Sequence, residues 1–225
     1  MRLAAPPKSD LVSPAAGAGD RRGFTHSVLS YTRMDVPTLE VFETAVTFNA
    51  PGDPVSAHAA LADVFGQDAG FGRFLFRPDS SIHGRYWVQS LEPWTRWPAT
   101  AASALEPKRL NIQLAEALMY RFTLRVSAGH EQAEGEQKVV KPFATISEFE
   151  SWFNDNSIGF GLKPLMLNVS LQTLSFGHGG QRYRIPHAVI EGALEVTNAE
   201  RLRRRIVKGF GSFKRVGLGM LQLTL

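Results

Sequence analysis

The chain of 225 residues contains no cysteine, which excludes a disulfide framework, thiolate metal sites and a cysteine nucleophile. It also lacks any apolar stretch of membrane-spanning length, and prolines together with Asp10 interrupt the first residues before a run of signal-peptide length can build up. A soluble, cytoplasmic protein with no membrane partner is therefore expected. His83, His130, His178 and His187 show no metal-ligand spacing and no carboxylate cluster beside them, so they are expected to be structural or exposed, with no metal and no cofactor implied. No P-loop, dinucleotide glycine fingerprint or Gly-x-Ser-x-Gly elbow occurs, which withdraws support from nucleotide-dependent and serine-hydrolase chemistry. One local absence is more pointed. Residues 201 to 215 hold Arg201, Arg203, Arg204, Arg205, Lys208, Lys214 and Arg215 without a single acid.

Apolar residues are plentiful, at 44% of the chain with 10% aromatics, enough to build real cores in one large or two small domains. Residues 1 to about 23 are rich in Pro, Ala and Gly without periodicity and read as an arm outside the core. From residue 39, LEVFETAVTFNA alternates as a strand, and Asp53 with Pro54 opens a short helix whose apolar stripe is Ala57, Leu61, Val64 and Phe65. FGRFLFRP and HGRYWVQSLEP read as a hairpin, 99 to 117 as a weak helix, and ALMYRFTLRVSAG as the strand that closes a first domain. In the second half, a helix begins after Thr145 or Ser147, strands follow, a helix runs from an Asn198 cap to Gly209, and VGLGMLQLTL ends the chain as a strand. This order predicts an α+β protein of two tandem ferredoxin-like βαββαβ domains. The expected divisions are an N-terminal extension over 1–38, one domain over 39–128 and another over 138–225.

On the helix after Asn198, Arg201, Arg204, Arg205 and Lys208 fall at i, i+3, i+4 and i+7 and form one stripe, beside a buried stripe of Leu202, Ile206 and Phe210. Stacked like charges repel unless a polyanion neutralises them, so nucleic acid is the expected partner, against the plainer alternative of a solvated helix face. Directly after it comes KGFGSFKRVGLGMLQL, in which Gly209, Gly211, Gly217 and Gly219 frame Ser212, Lys214 and Arg215. Glycines allow close backbone approach, and their amides can cradle an anion. Trp87, Trp94 and Trp97 could stack on bases, but packing is the expected role.

The pattern G-h-G-x-x-K-x-x-G-h-G-h-h over Gly209 to Leu221 resembles the C-terminal glycine-rich signature of the repeat-associated ("RAMP") CRISPR endoribonucleases. The resemblance continues through HAALADVFGQDAGFGRFLFR, WVQSLEP, MYRFTLRVSAG, ISEFESWF and IEGALEVTNAERL, in the order of the type I-E branch, and covers about residues 40 to 225. The N-terminal arm leaves the related type IV enzyme open. The resemblance implies a metal-independent cut of CRISPR repeat RNA by the ribose 2′-oxygen, giving a 2′,3′-cyclic phosphate and a 5′-hydroxyl. It also implies a prokaryotic cytoplasm, a crRNA hairpin as partner and subunits of a CRISPR effector complex, including its backbone protein, as further partners. By position His58 matches the family's catalytic histidine, whereas Val55 and Ala62 stand where that pattern often has Tyr and Trp. The missing group is expected from Tyr31, or from Arg21, Arg22 or Arg33 on the extension, or from Lys214 or Arg215. Lys214 is favoured as a phosphate ligand, and His26 is an alternative to His58. RNA contacts are expected at Arg201, Arg204, Arg205, Lys208, Gly211, Ser212 and Arg215. A guide-RNA-binding subunit without activity, or a general ferredoxin-like RNA-binding module, are the competing expectations.

Overall fold

A computed structural model describes residues 37–49, 53–65, 73–134 and 137–224, with side chains outside 130–140. Tyr31, His26, Arg21, Arg22 and Arg33 lie outside the described residues. Residues 35–225 form one compact unit.

The first sheet is built from β1 (Thr38–Phe48), β2 (Phe74–Pro78), β3 (Arg85–Ser90), β4 (Ala101–Ala104) and β5 (Lys108–Gln113), in the order β2-β3-β1-β4 with β5 also on β1. All its pairs are antiparallel. Strand alternation divides β1 into two functional faces. Even-numbered Val46 and Phe48 join Phe76, Tyr86 and Val88 against Ala57 and Leu61 of helix α1 (Pro54–Phe65). Odd-numbered Leu39 and Val41 belong to the core that also holds Leu202 and Ile206. Asp53 starts α1 as expected, accepting hydrogen bonds from the Val55 and Ser56 amides at 2.9 and 3.0 Å.

The weak helix expected over 99–117 is instead β4 and β5, which both pair with β1. The alanines there favour a helix, but Pro107 interrupts one, and Leu110, Ile112 and Leu114 alternate with period two, so pairing with an open strand prevails. This half therefore keeps the ferredoxin-like strand order with a single helix.

The strand expected over 119–127 forms, but in a different sheet. As β6 (Met119–Ser127) it lies in the other sheet, between β11 (Leu221–Thr224) and β10 (Gln181–Val196), rather than closing the first. Strand β9 (Leu162–His178) completes the order β11-β6-β10-β9. With α2 (Ile146–Phe160) and α3 (Ala199–Lys208) as the crossovers, this is the βαββαβ ferredoxin-like arrangement. Phe149 and Phe153 of α2 and Leu202 and Ile206 of α3 pack with Phe122, Leu124, Ala188 and Ile190 of the sheet. Between β6 and α2, β7 (Gly129–Glu134) and β8 (Gln137–Pro142) form a separate hairpin. Thr145 caps α2, accepting from the Glu148 amide, and Asn198 caps α3, accepting from the Arg201 amide. Among the described residues, no helix is long and apolar enough to cross a membrane.

Candidate RNA-cleavage site at the glycine-rich loop

Strand β2 is an edge of the first sheet, and the segment after α3 wraps around it. A Cβ on Gly209 would come within 2.9 Å of Leu75 on one face of the strand, and a Cβ on Gly217 within 3.0 Å of Pro78 and 3.4 Å of the Phe76 ring on the other. Both glycines have positive φ, so close approach and backbone conformation impose the same residue. At its turn the loop forms a short 3-10 helix, Lys214–Val216, that contacts both β2 and α1. On the opposite face, Arg77 of β2 donates from Nε and Nη2 to Gln222 Oε1 of β11, at 2.9 and 2.6 Å. Burial holds the Arg77 pKa below its ordinary value, with the neighbouring Arg125 adding to the effect.

This wrapping brings the glycine-rich loop of the second half to the helix that carries His58. The imidazole is half-buried, its ring centre 5.3 Å from that of Phe74 and 5.9 Å from that of Phe76. Burial lowers its pKa, and the positive charge of Arg215 lowers it further. His58 is thereby biased toward the neutral form that can accept a proton. Lys214 is also half-buried, donates from Nζ to the Gly211 carbonyl at 2.8 Å, and has its pKa lowered by burial and by Arg205. Phe213 enters the turn in the left-handed region at φ 62°, a conformation that a non-glycine residue holds only under constraint.

The basic stripe on α3 is uneven. Arg201, Arg204 and Lys208 are exposed, but the Arg205 guanidinium lies over the Phe160 ring at 4.9 Å and is half-buried. Arg204 pairs with Glu200 at 2.9 Å, and Arg203 approaches the same carboxylate at 3.8 Å. Leu202, Ile206 and Phe210 are buried as the stripe pattern predicts.

Two features escaped the sequence reading. Glu43 lies in the first sheet beside Gln89, whose Nε2 donates to it at 3.2 Å, and burial raises its pKa despite that bond and the charge of Arg77. His178 approaches Asp53, at the cap of α1, across 125 positions of sequence. Local spacing carries no signal of either. His187 is buried, in keeping with a structural role. Trp87 donates from its indole to Asp79 at 3.0 Å, and Trp94 packs between Phe65 and Trp97 with ring centres 5.3 Å from each. Among the described residues, no group of three or more His, Asp or Glu side chains is arranged to hold a metal ion.

A family model described as CRISPR associated protein matches residues 33–224. No curated protein matches the chain in sequence. Among solved structures, the chain is similar to Cse3 of Thermus thermophilus bound to an RNA representing a pre-cleavage complex, with TM-score 0.68 and 21% identity over 83% of this chain and 100% of that one. It is also similar to the CRISPR-associated protein Cas6e of Escherichia coli K-12, with TM-score 0.63 and 19% identity over 82% and 98% of the two chains. A chain of a CRISPR RNA-guided surveillance complex in a pre-nicking state matches with TM-score 0.65 and 17% identity over 82% and 99%.

Proposed function

Since the chain belongs to the CRISPR associated protein family, we propose that it is an endoribonuclease that cuts the repeat hairpin of precursor crRNA and then stays bound to the product. The observation that carries this reading is the packing of the Lys214–Val216 turn of the glycine-rich loop against α1, the helix of His58, near enough for the charge of Arg215 to lower the His58 pKa. The fold shared with the CRISPR endoribonuclease Cse3 bound to RNA supports it.

In the proposed reaction the ribose 2′-oxygen attacks the adjacent phosphorus in line, and the 5′-oxygen leaves, giving a 2′,3′-cyclic phosphate and a free 5′-hydroxyl. Neutral His58 accepts the 2′-hydroxyl proton, a role its lowered pKa favours at neutral pH, and the leaving 5′-oxygen takes its proton from water. Arg215 and Lys214 stabilise the charge that builds on the non-bridging oxygens. Lys214 must first exchange its hydrogen bond to Gly211 for one to phosphate. Arg201, Arg204 and Lys208 hold stem phosphates, with Arg205, Gly211 and Ser212 at the margin, which suits shape-based reading of an RNA helix. No metal takes part. Retention of the cleaved hairpin then carries the protein into an effector complex, beside its backbone subunit.

A second reading, a guide-RNA-binding subunit without activity, is favoured by Val55, whose aliphatic side chain packs against Ile185, Val216 and Leu218 and cannot transfer a proton. Cleavage of the cognate repeat hairpin in EDTA separates the two. Wild-type protein is expected to cut, a 2′-deoxy substitution at the cut site to abolish cutting, and His58→Ala to slow it by about 10²-fold or more. Tight binding without cleavage would refute the enzyme and leave the binding subunit.

A further inference from the structure

We propose that His178 is a positioning residue for His58, strapping the first turn of α1 to the β9–β10 hairpin; the proposal rests on the endoribonuclease reading. Strand β6 ends opposite His187, at Ser127, whereas β9 and β10 stay paired out to His178 and Gln181. Residues 173–178 and 181–186 therefore form a two-stranded extension beyond the sheet. Leu174, Phe176 and His178 alternate along β9 and share one face. Leu174 and Phe176 pack with Ile185 around Val216 and Leu218 of the glycine-rich loop and Val55 of α1. Two residues further, His178 Nδ1 lies 3.2 Å from Asp53 Oδ2.

The extension thus grips the start of α1 at two points, the capping carboxylate of Asp53 and the side chain of Val55. Asp53 is already committed to the helix, since it accepts from both the Val55 and Ser56 amides and from the Ser56 hydroxyl at 2.8 Å. A pull on this carboxylate is transmitted directly to the first turn. His58 follows Val55 by three residues, hence by about one turn on an adjoining face. The apolar cluster that holds Val55 also holds Val216, next to Arg215. One strap therefore sets both the orientation of His58 and its distance from the loop.

The remainder of α1 is anchored independently by Ala57 and Leu61 in the first core. Loss of the strap should leave the fold standing and shift the catalytic turn. The exposed cations of α3 take no part in the contact, so RNA affinity should not change.

The test is single-turnover cleavage of the repeat hairpin at saturating full-length protein, with Kd measured separately. His178→Ala is expected to cleave roughly five- to tenfold more slowly, within the range that misplacement of a catalytic group produces, with Kd unchanged within about twofold. His178→Asn, whose Nδ2 places an N–H donor where Nδ1 of the histidine stands, should recover at least half the lost rate. Asp53→Ser keeps a helix-capping oxygen but removes the acceptor for His178, and in that background His178→Ala should add little. An unchanged rate in His178→Ala, a loss traceable to Kd, a loss not relieved by Asn, or fully multiplicative effects of the two substitutions would each overturn the positioning role. Wild-type protein that does not cleave at all would overturn the endoribonuclease reading itself.

Discussion

Replacing Gly219 with alanine tests whether close backbone approach at the glycine-rich loop builds the site. Gly219 sits at φ +91°, and a Cβ there would lie 2.4 Å from the Phe210 carbonyl oxygen, a backbone atom that cannot swing aside. The left-handed conformation alone costs an alanine about 1–2 kcal/mol. Relief of the clash would also stretch the hydrogen bond from the Phe210 amide to the Gly219 carbonyl, 2.9 Å long, at about 1 kcal/mol. The sum of roughly 2–3 kcal/mol corresponds to a fall in Tm of about 4–12 °C for a domain of this size. Gly179 is the matched control. It too has positive φ, at +57°, but a Cβ there meets nothing within 4 Å, so Gly179→Ala should lose only about 1–2 kcal/mol. Differential scanning calorimetry of both variants, alongside cleavage assays, checks the argument. Equal destabilisation by the two substitutions, or full activity in a destabilised Gly219→Ala, would refute the claim that this approach holds the loop in place beside α1.

Three further outcomes are expected. The cleavage rate should fall as pH drops through an apparent pKa below the usual histidine value, because burial and then Arg215 disfavour the imidazolium of His58; a pH–rate profile of Arg215→Gln should show this limb moved to higher pH, together with a lower plateau. Glu43 binds its proton more tightly folded than unfolded, because burial raises its pKa. Its contribution to stability is therefore present at low pH and is lost as pH rises through the carboxyl range toward the folded value, so the Tm of Glu43→Gln should gain on wild type between pH 4 and pH 7. Replacing Arg201, Arg204 or Lys208 by Ala should each lower the slope of log K for RNA against log salt by about 0.7–0.9 if each holds one phosphate, whereas half-buried Arg205 should change it less.

The glycine-rich loop was legible as a motif, and so was its basic helix. Gly209, Gly211, Gly217 and Gly219 all adopt positive φ, and Asp53, Thr145 and Asn198 cap the helices that their side chains announce. The misread segments were those whose partners are distant. AASALEPKRLNIQ has little preference of its own and becomes strand because β1 offers an open edge. MYRFTLRVS reads as a strand in any context, but the sheet it joins depends on β10 and β11, which come 60 or more residues later.

The sequence by itself determined what local chemistry can specify: the alternation that makes strands, the caps and turn glycines, the acid-free run of cations after Arg201, and a histidine at the start of a helix. Periodicity, capping and backbone sterics act over a few residues, so they leave their mark in adjacent letters. Tertiary structure alone decided that the loop wraps around β2, that its Lys214–Val216 turn packs on the helix of His58, that Phe160 draws Arg205 partly out of the basic stripe, and that His178 reaches Asp53. Those contacts join segments tens to more than a hundred residues apart, and each depends on burial and charge that exist only once the two sheets have been brought together.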